Sequence, residues 1–279
     1  MRIRIATLAE NSAVKQGTLA EHGLSMLLQV DDLWVLLDTG QTNTVVHNAR
    51  ALRIDLSNVS HIVLSHGHQD HTGGLRDVLV QIGGDVVVHA HPEVWRPRYA
   101  VRKGEKPRYS GLPFVREQLE SLGATFDLSD VPTEIGGKVM TTGPGPRNTP
   151  FEKLDADLKV KTPRGWEQDQ IPDDQSLLVK TSKGLVVLLG CAHSGIVNTL
   201  HRAREVSGEK RIFAVLGGTH LGFSSREQIE QTVVALKGLD IQKLGVSHCT
   251  GPAASAILAR EFGDRFFFNN VGTISEWEL

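Results

Sequence analysis

The 279-residue chain carries 30 Lys and Arg against 32 Asp and Glu, a formal net charge of −2, and has a sequence pI of about 6.6. With 40% hydrophobic and 22% charged residues it has the make-up of an ordinary soluble globular protein with ample core material, and no global positive field directs it to nucleic acid. Its two cysteines, Cys191 and Cys249, make no disulfide framework and fit a cytoplasmic setting, while no apolar run reaches the roughly 18 residues of a membrane helix.

The opening Met1-Arg2-Ile3-Arg4-Ile5 alternates polar and apolar residues, which predicts a strand over Arg2–Thr7 and not the apolar region of a signal peptide. Strands are predicted at Ser25–Val30 and Leu33–Asp38, with Asp31-Asp32 as the turn between them, and Thr42–Leu52 has helical spacing. The apolar run His61-Ile62-Val63-Leu64 reads as a short buried strand, followed by a helix over Leu75–Ile82 and a strand over Asp85–His89. A helix is predicted over Leu112–Leu122 and a strand over Lys138–Thr142. The second half repeats the style, with strands at Ser176–Thr181, Leu185–Leu189, Arg211–Leu216, Lys243–Ser247 and Arg265–Asn269. Its helices are predicted at Ile196–Val206, Arg226–Leu236 and Ala253–Phe262. This α/β mixture suits two sheets packed face to face with helices outside. Two stretches break the rhythm: residues 92–111, rich in Arg, Lys and Pro, and residues 143–174, with Pro144, Pro146, Pro150, Pro163 and Pro172. Loops this long inside a compact domain tend to be lids or mobile segments. Candidate ligand histidines lie on both sides of each, so residues 1–279 are expected to form one domain with two lid-like insertions.

The densest chemistry lies in Ser65-His66-Gly67-His68-Gln69-Asp70-His71-Thr72-Gly73-Gly74-Leu75, directly after the short apolar strand. In extended backbone, side chains two apart share a face, so His66 and His68 can grip one ion together. Asp70 and His71, at the strand-to-helix turn, can reach a second. Imidazole and carboxylate donors suit zinc, iron or manganese. The plainer reading is a polar loop whose histidines only cap the helix, but four such donors are costly to bury without a metal. His193, His220 and His248 each follow an apolar run, which places them at predicted strand ends on the same edge. His193 and His248 are expected as metal ligands, and His220 as either a ligand or a proton donor.

His66-x-His68-x-Asp70-His71, with Gly73-Gly74-Leu75 behind it and Leu36-Leu37-Asp38-Thr39-Gly40 ahead of it, resembles the signature of the metallo-β-lactamase superfamily. A narrower resemblance rests on Ala20-Glu21-His22-Gly23-Leu24-Ser25, Asp173-Asp174-Gln175-Ser176-Leu177, Gly190-Cys191-Ala192-His193-Ser194-Gly195, Gly217-Gly218-Thr219-His220-Leu221 and His248-Cys249-Thr250-Gly251. These look like one branch of metal-dependent hydrolases, which includes archaeal dihydropteridine–aminobenzene ribosyl-phosphate synthase-like proteins. The resemblance implies a four-layer αββα sandwich and two divalent transition-metal ions, zinc first, with iron or manganese as alternatives. It carries ligand roles over directly only to His66, His68, Asp70 and His71. It also places Glu21-His22-Gly23 near the pocket, where His22 either contacts substrate or caps a turn. Most members have Gly-Asp after the second hairpin, the Asp bridging both metals. Here Gly190-Cys191 stands in that place, so Cys191 is either a thiolate ligand or a small buried residue. A His usually precedes that hairpin, but here Asp173-Asp174 does, leaving Asp174 as a ligand or as the hydrogen-bond partner of one.

The expected activity is that of a dinuclear metal-dependent hydrolase working through a metal-activated hydroxide. Asp70 would orient the nucleophile and take its proton, and His220 or His22 would protonate the leaving group. Arg96, Arg98, Arg102, Lys103, Lys106 and Arg108, opposed only by Glu93 and Glu105, point to a small anionic substrate held by Arg96, Arg98 and Arg102; a solvated basic surface is the plainer reading. The alternative activity is a pterin-arylamine ribosyl-phosphate synthase-like transfer. A third is an iron redox or metal-sensing protein, prompted by Cys191 and Cys249 beside His193 and His248. The expected partner is a small molecule, with no nucleic acid and no membrane.

Overall fold

Alternation along the strands sorts the apolar side chains of the computed structural model, which describes residues 1–279, into three cores. Side chains in a strand point to opposite faces with a period of two. In Arg2–Ala9, Ile3 and Ile5 therefore face one way and Ala6 and Leu8 the other. The first set, with Met26, Leu28, Val35 and Leu37, meets Leu177, Val179, Val186, Leu188, Ala214 and Leu216 of a second sheet. The outward sets are covered by helices. Thr44–Ala51 brings Val45 and Ala49 to the first sheet, and Leu75–Ile82 brings Leu75, Val78 and Leu79. Ile196–Ser207, Arg226–Gly238 and Gly251–Phe262 cover the second with Leu200, Val233, Leu236 and Leu258. The product is the expected four-layer αββα sandwich. No helix is long and apolar enough to cross a membrane.

The first sheet runs in the spatial order Ile274–Glu278, Arg2–Ala9, Ser25–Val30, Leu33–Leu37, His61–Val63, Val86–Ala90, Ala124–Leu128. The second runs Phe266–Phe268, Lys243–Ser247, Ile212–Gly218, Gly184–Leu189, Ser176–Thr181, Val139–Thr141, Glu134–Ile135. In both, an antiparallel hairpin half adjoins a parallel half. The carboxyl ends of the parallel strands carry the ligand-type residues, and in such sheets that end is where binding sites form. Asp38, Ala192, His220 and His248 all adopt left-handed backbone there, with φ of 58°, 50°, 55° and 49°. Non-glycine residues held at positive φ cluster at functional sites, because surrounding structure must over-determine them.

Two expectations are corrected. The stretches read as irregular loops pair with each other into a third, small sheet, in the order Gly165–Gln168, Leu158–Thr162, Arg98–Ala100, Arg108–Tyr109. Within it Leu158 lies opposite Ala100 and Val160 opposite Arg98. The helix expected over Leu112–Leu122 spans only Arg116–Glu120, since Pro113 keeps its predecessor out of the helical region. The short strands Ala124–Leu128, Glu134–Ile135 and Ile274–Glu278 add to the predicted set.

Candidate metal centre

His61–Val63 ends just before the histidine cluster, and a fully buried carboxylate organises the residues beyond the strand. Asp38 Oδ1 accepts the Ser65 backbone N–H at 2.7 Å, and its Oδ2 accepts the Ser65 hydroxyl and the His71 Nδ1–H, each also at 2.7 Å. Ser65 Oγ in turn lies 2.9 Å from His66 Nδ1. With their Nδ1 protons so engaged, His66 and His71 turn Nε2 into the site, the tautomer a metal-binding imidazole uses. His68 caps the short helix Gln69–Thr72, which sends Asp70 and His71 onward from the strand end.

The second sheet supplies the rest. His193, after Gly184–Leu189, places Nε2 3.2 Å from His66 Nε2. His68, His66 and His193 offer three nitrogens within 4.8 Å of one another. Two imidazole nitrogens on one tetrahedral zinc stand roughly 3.3 Å apart, so the observed gap matches a shared ion. The His68 Nε2 atom is buried with no hydrogen-bond partner, as is His248 Nε2. Unpartnered buried polar atoms are costly, and a cation beside each would supply what it lacks. His22, Asp70 and His248 form a second group of the same tightness, with Asp70 Oδ2 3.3 Å from both His22 Nε2 and His248 Nε2. Cys191 stands among these groups, its Sγ 3.0 Å from His71 Nε2. The donor sets present thus fit divalent metal.

Electrostatics agree. Burial pushes His66, His68 and His193 below the usual histidine range, His68 to about 3, which leaves them neutral and free to donate lone pairs. Burial works against charge on Asp70, but His71, His22 and His248 outweigh it and hold the carboxyl well below its ordinary value. His220 is lifted to about 9 against the effect of burial by Asp155 and Cys249, with Asp155 Oδ2 3.4 Å from its Nε2. His220 also groups with Cys191 and His193, so its position suits either a ligand or a protonated donor.

Asp174 stands beside His193 with its buried Oδ1 free of any hydrogen-bond partner, so its position suits either a ligand or the hydrogen-bond partner of one. Its Oδ2 accepts the Ser194 backbone N–H at 2.7 Å, holding the loop that carries His193. Of the three arginines expected to bind substrate, only Arg102 lines the pocket. Arg96 pairs with Glu93 at 2.9 Å outside it. Arg98 is fully buried: Nη1 and Nη2 donate to the two oxygens of Asp173 at 2.8 and 2.6 Å, and Nε donates to Asp169 at 2.9 Å. All its charge is spent internally, so Arg98 is a structural tie and not a free cation of the pocket. Asp173 Oδ2 also accepts the Gly67 N–H at 2.7 Å, between His66 and His68, which fastens the small sheet to the ligand strand. That sheet contributes Ala100, Arg108 and Leu158 to the pocket wall, beside Arg102, Asp155 and Asp157, with Phe223 at the far side.

Several residues that hold the site carry little signal in sequence. Asn11 Oδ1 meets His248 Nδ1 at 2.8 Å, and Glu10 Oε1 accepts the His248 backbone N–H at 2.6 Å. Asp38 belongs to the Asp-Thr-Gly turn, but nothing local to that turn points to His71. A polar pair at the end of the first strand is the one available signal for Glu10 and Asn11.

The family model described as Metallo-beta-lactamase superfamily matches residues 19–206. Across 281 aligned residues the chain is 31% identical to the 7,8-dihydropterin-6-methyl-4-(beta-D-ribofuranosyl)-aminobenzene-5'-phosphate synthase of Methanocaldococcus jannaschii, covering 98% of this chain and 96% of that one. It is also similar to the crystal structure of a metal-dependent hydrolase of the beta-lactamase superfamily, at 33% identity and a TM-score of 0.84 over 99% of both chains. A diphosphatase from the PhnP family shares the fold at a TM-score of 0.55 and 15% identity, over 100% of this chain and 98% of that one.

Proposed function

The chain belongs to the metallo-β-lactamase superfamily, and from that premise we propose that it is a dinuclear metal-dependent hydrolase acting on a small anionic substrate. The observation that carries this reading is that imidazole nitrogens from both sheets, His66 and His68 from one and His193 from the other, lie within 4.8 Å of one another while the buried His68 Nε2 has no hydrogen-bond partner. His66, His68 and His193 would hold one ion, and Asp70, His71 and His248 the other, with Cys191 between them. Bound there, divalent ions would lower the pKa of water toward neutrality and polarise the carbonyl or phosphoryl oxygen of the group under attack. Asp70, kept ionised by its three imidazole neighbours, orients the attacking water and takes up its proton. His220, kept protonated by Asp155, delivers a proton to the leaving group; His22, over Asp70 and half-exposed, is the other candidate. Arg102 and Arg108 bind the anionic part of the substrate. We read residues 1–279 as one domain and the small sheet as its lid.

A second reading is favoured by the 31% identity to the named synthase across nearly the whole chain. There the same site would join a dihydropterin carrying a pyrophosphate-type leaving group to an aminobenzene ribosyl phosphate, the new bond displacing pyrophosphate while Asp70 and His220 manage protons and water stays out. One panel separates the two on zinc- and iron-loaded protein. Simple phosphodiesters and lactones form one arm, and an activated dihydropterin with a ribofuranosyl-aminobenzene 5'-phosphate forms the other. Hydrolysis in the first arm supports the hydrolase; condensation confined to the second replaces it with the synthase.

A further inference from the structure

Cys191 and Cys249 are both free and buried, and they reach the pocket from different strands, Cys191 after Gly184–Leu189 and Cys249 after Lys243–Ser247. Their sulfurs and a His248 ring nitrogen lie within 4.8 Å of one another. The His248 side chain is fully buried and its Nε2 has no hydrogen-bond partner. With Asn11 Oδ1 2.8 Å from Nδ1, the proton belongs on Nδ1 and the Nε2 lone pair points into this space. Cys249 Sγ accepts the His220 backbone N–H at 3.2 Å and lies 3.7 Å from the Cys191 carbonyl oxygen, so two contacts hold the sulfur at the pocket. Packing fixes that sulfur: a Cβ on Gly218 would stand 2.7 Å from it, so only glycine leaves room at that strand end. Two sulfurs and an imidazole nitrogen on one tetrahedral zinc are roughly 3.5–3.8 Å apart, and the 4.8 Å limit within which these three atoms lie admits that spacing.

We infer that Cys249, together with Cys191 and His248, forms a thiolate-bearing metal position that selects zinc or ferrous iron over manganese and magnesium. This rests on the metal-enzyme reading above and adds a donor that reading lacks. Thiolate is a soft ligand, and two of them set metal preference where imidazole and carboxylate alone would admit harder ions. Each sulfur–metal bond forms as an S–H bond gives its proton to solvent, so charge stays balanced.

The test titrates cobalt(II) into metal-stripped wild type, Cys249→Ser and Cys191→Ser, reading the sulfur-to-cobalt charge-transfer absorption. Alongside it, alkylation of each cysteine in the wild-type chain is mapped by mass spectrometry with and without zinc. The expected result is an intense band in wild type that loses a large share of its intensity in either variant, with both thiols protected by zinc and reactive once stripped. Cobalt binding with a band indifferent to Cys249→Ser, or Cys249 alkylated equally with and without zinc, overturns the inference and leaves the metal-enzyme reading standing. Folded wild type that binds no metal removes both. The wild-type alkylation measurement decides the matter even where a variant fails to fold.

Discussion

Three of the ligand-type histidines are held by a second residue, His66 by Ser65, His71 by Asp38 and His248 by Asn11, and that pairing determines what its removal does. Asn11 orients His248 from 237 positions away in sequence. Replacing Asn11 with Leu keeps the bulk and removes the acceptor, so affinity for one ion is expected to fall about 10–100-fold while the other is retained. Competition against a graded chelator reads this directly; equal weakening of both ions, or of neither, contradicts it. Asp70→Asn is expected to leave the fold intact, since the Asp70 side chain is partly exposed, yet to lower occupancy of one ion and abolish turnover. Elemental analysis beside circular dichroism separates those effects.

Protonation offers a second test at the same scale. In the metal-stripped chain His66, His68 and His193 stay neutral well below their ordinary 6.5, His68 down to about 3. The unfolded chain takes up those protons near pH 6.5 and the folded chain does not, so stability present above 6.5 is lost as pH falls toward 3. Burial raises four carboxyls, Asp173 from 3.8 to about 6 and Asp174, Glu10 and Glu152 in the same direction, and these work in the opposite sense, so the histidine contribution is read as the difference between wild type and a variant lacking one histidine. Urea midpoints across this range should fall with acid less steeply in His68→Gln than in wild type. Identical slopes for the two proteins would contradict the assignment of a neutral buried His68.

Among elements, the small sheet is the part with most bearing on substrate. Its anchor is the Arg98–Asp173 pair, and Arg98→Met would leave Asp169 and Asp173 buried without their cation. Breaking a buried pair on one side costs about 3–5 kcal/mol, whereas Arg96→Ala removes only an exposed pair with Glu93 and should shift stability by less than about 1 kcal/mol. The two arginines stand two positions apart in one basic run, so charge density could not distinguish them. What separates them is burial against Asp169 and Asp173, 71 and 75 residues further on. Arg102 and Arg108 face the pocket, and Arg102→Ala is expected to raise KM for an anionic substrate with kcat little changed. An effect of the same size from Arg96→Ala would return the whole stretch to general surface charge. The sheet itself escaped sequence reading because its strands are only two to five residues long, and the one with clear alternation, Leu158-Lys159-Val160-Lys161-Thr162, offers just two apolar positions.

For the molecule as a whole, the chemistry legible in sequence was that concentrated in a few consecutive residues. His66, His68, Asp70 and His71 lie within six consecutive positions, so their spacing carried the geometry. His193, His220 and His248 were legible because each ends an apolar strand, and parallel strands bring their carboxyl ends to one edge. The two-sheet layering followed from period-two alternation in strands such as Arg2–Ala9. Roles set by contacts across the sandwich were not legible: Asp38 on His71, Asp174 beside His193, and Arg98 turned inward. Those depend on which elements pack together, and residue type alone does not encode it.

The central claim is that both sheets converge on two metal ions. Anomalous scattering at a metal absorption edge, from crystals of the zinc-loaded chain, measures it most directly. Two peaks are expected about 3.5–4 Å apart, one within about 2.1 Å of nitrogens from His66, His68 and His193, the other beside Asp70 and His248. A folded chain with no anomalous peak at these residues, in crystals grown with zinc in excess, would contradict it.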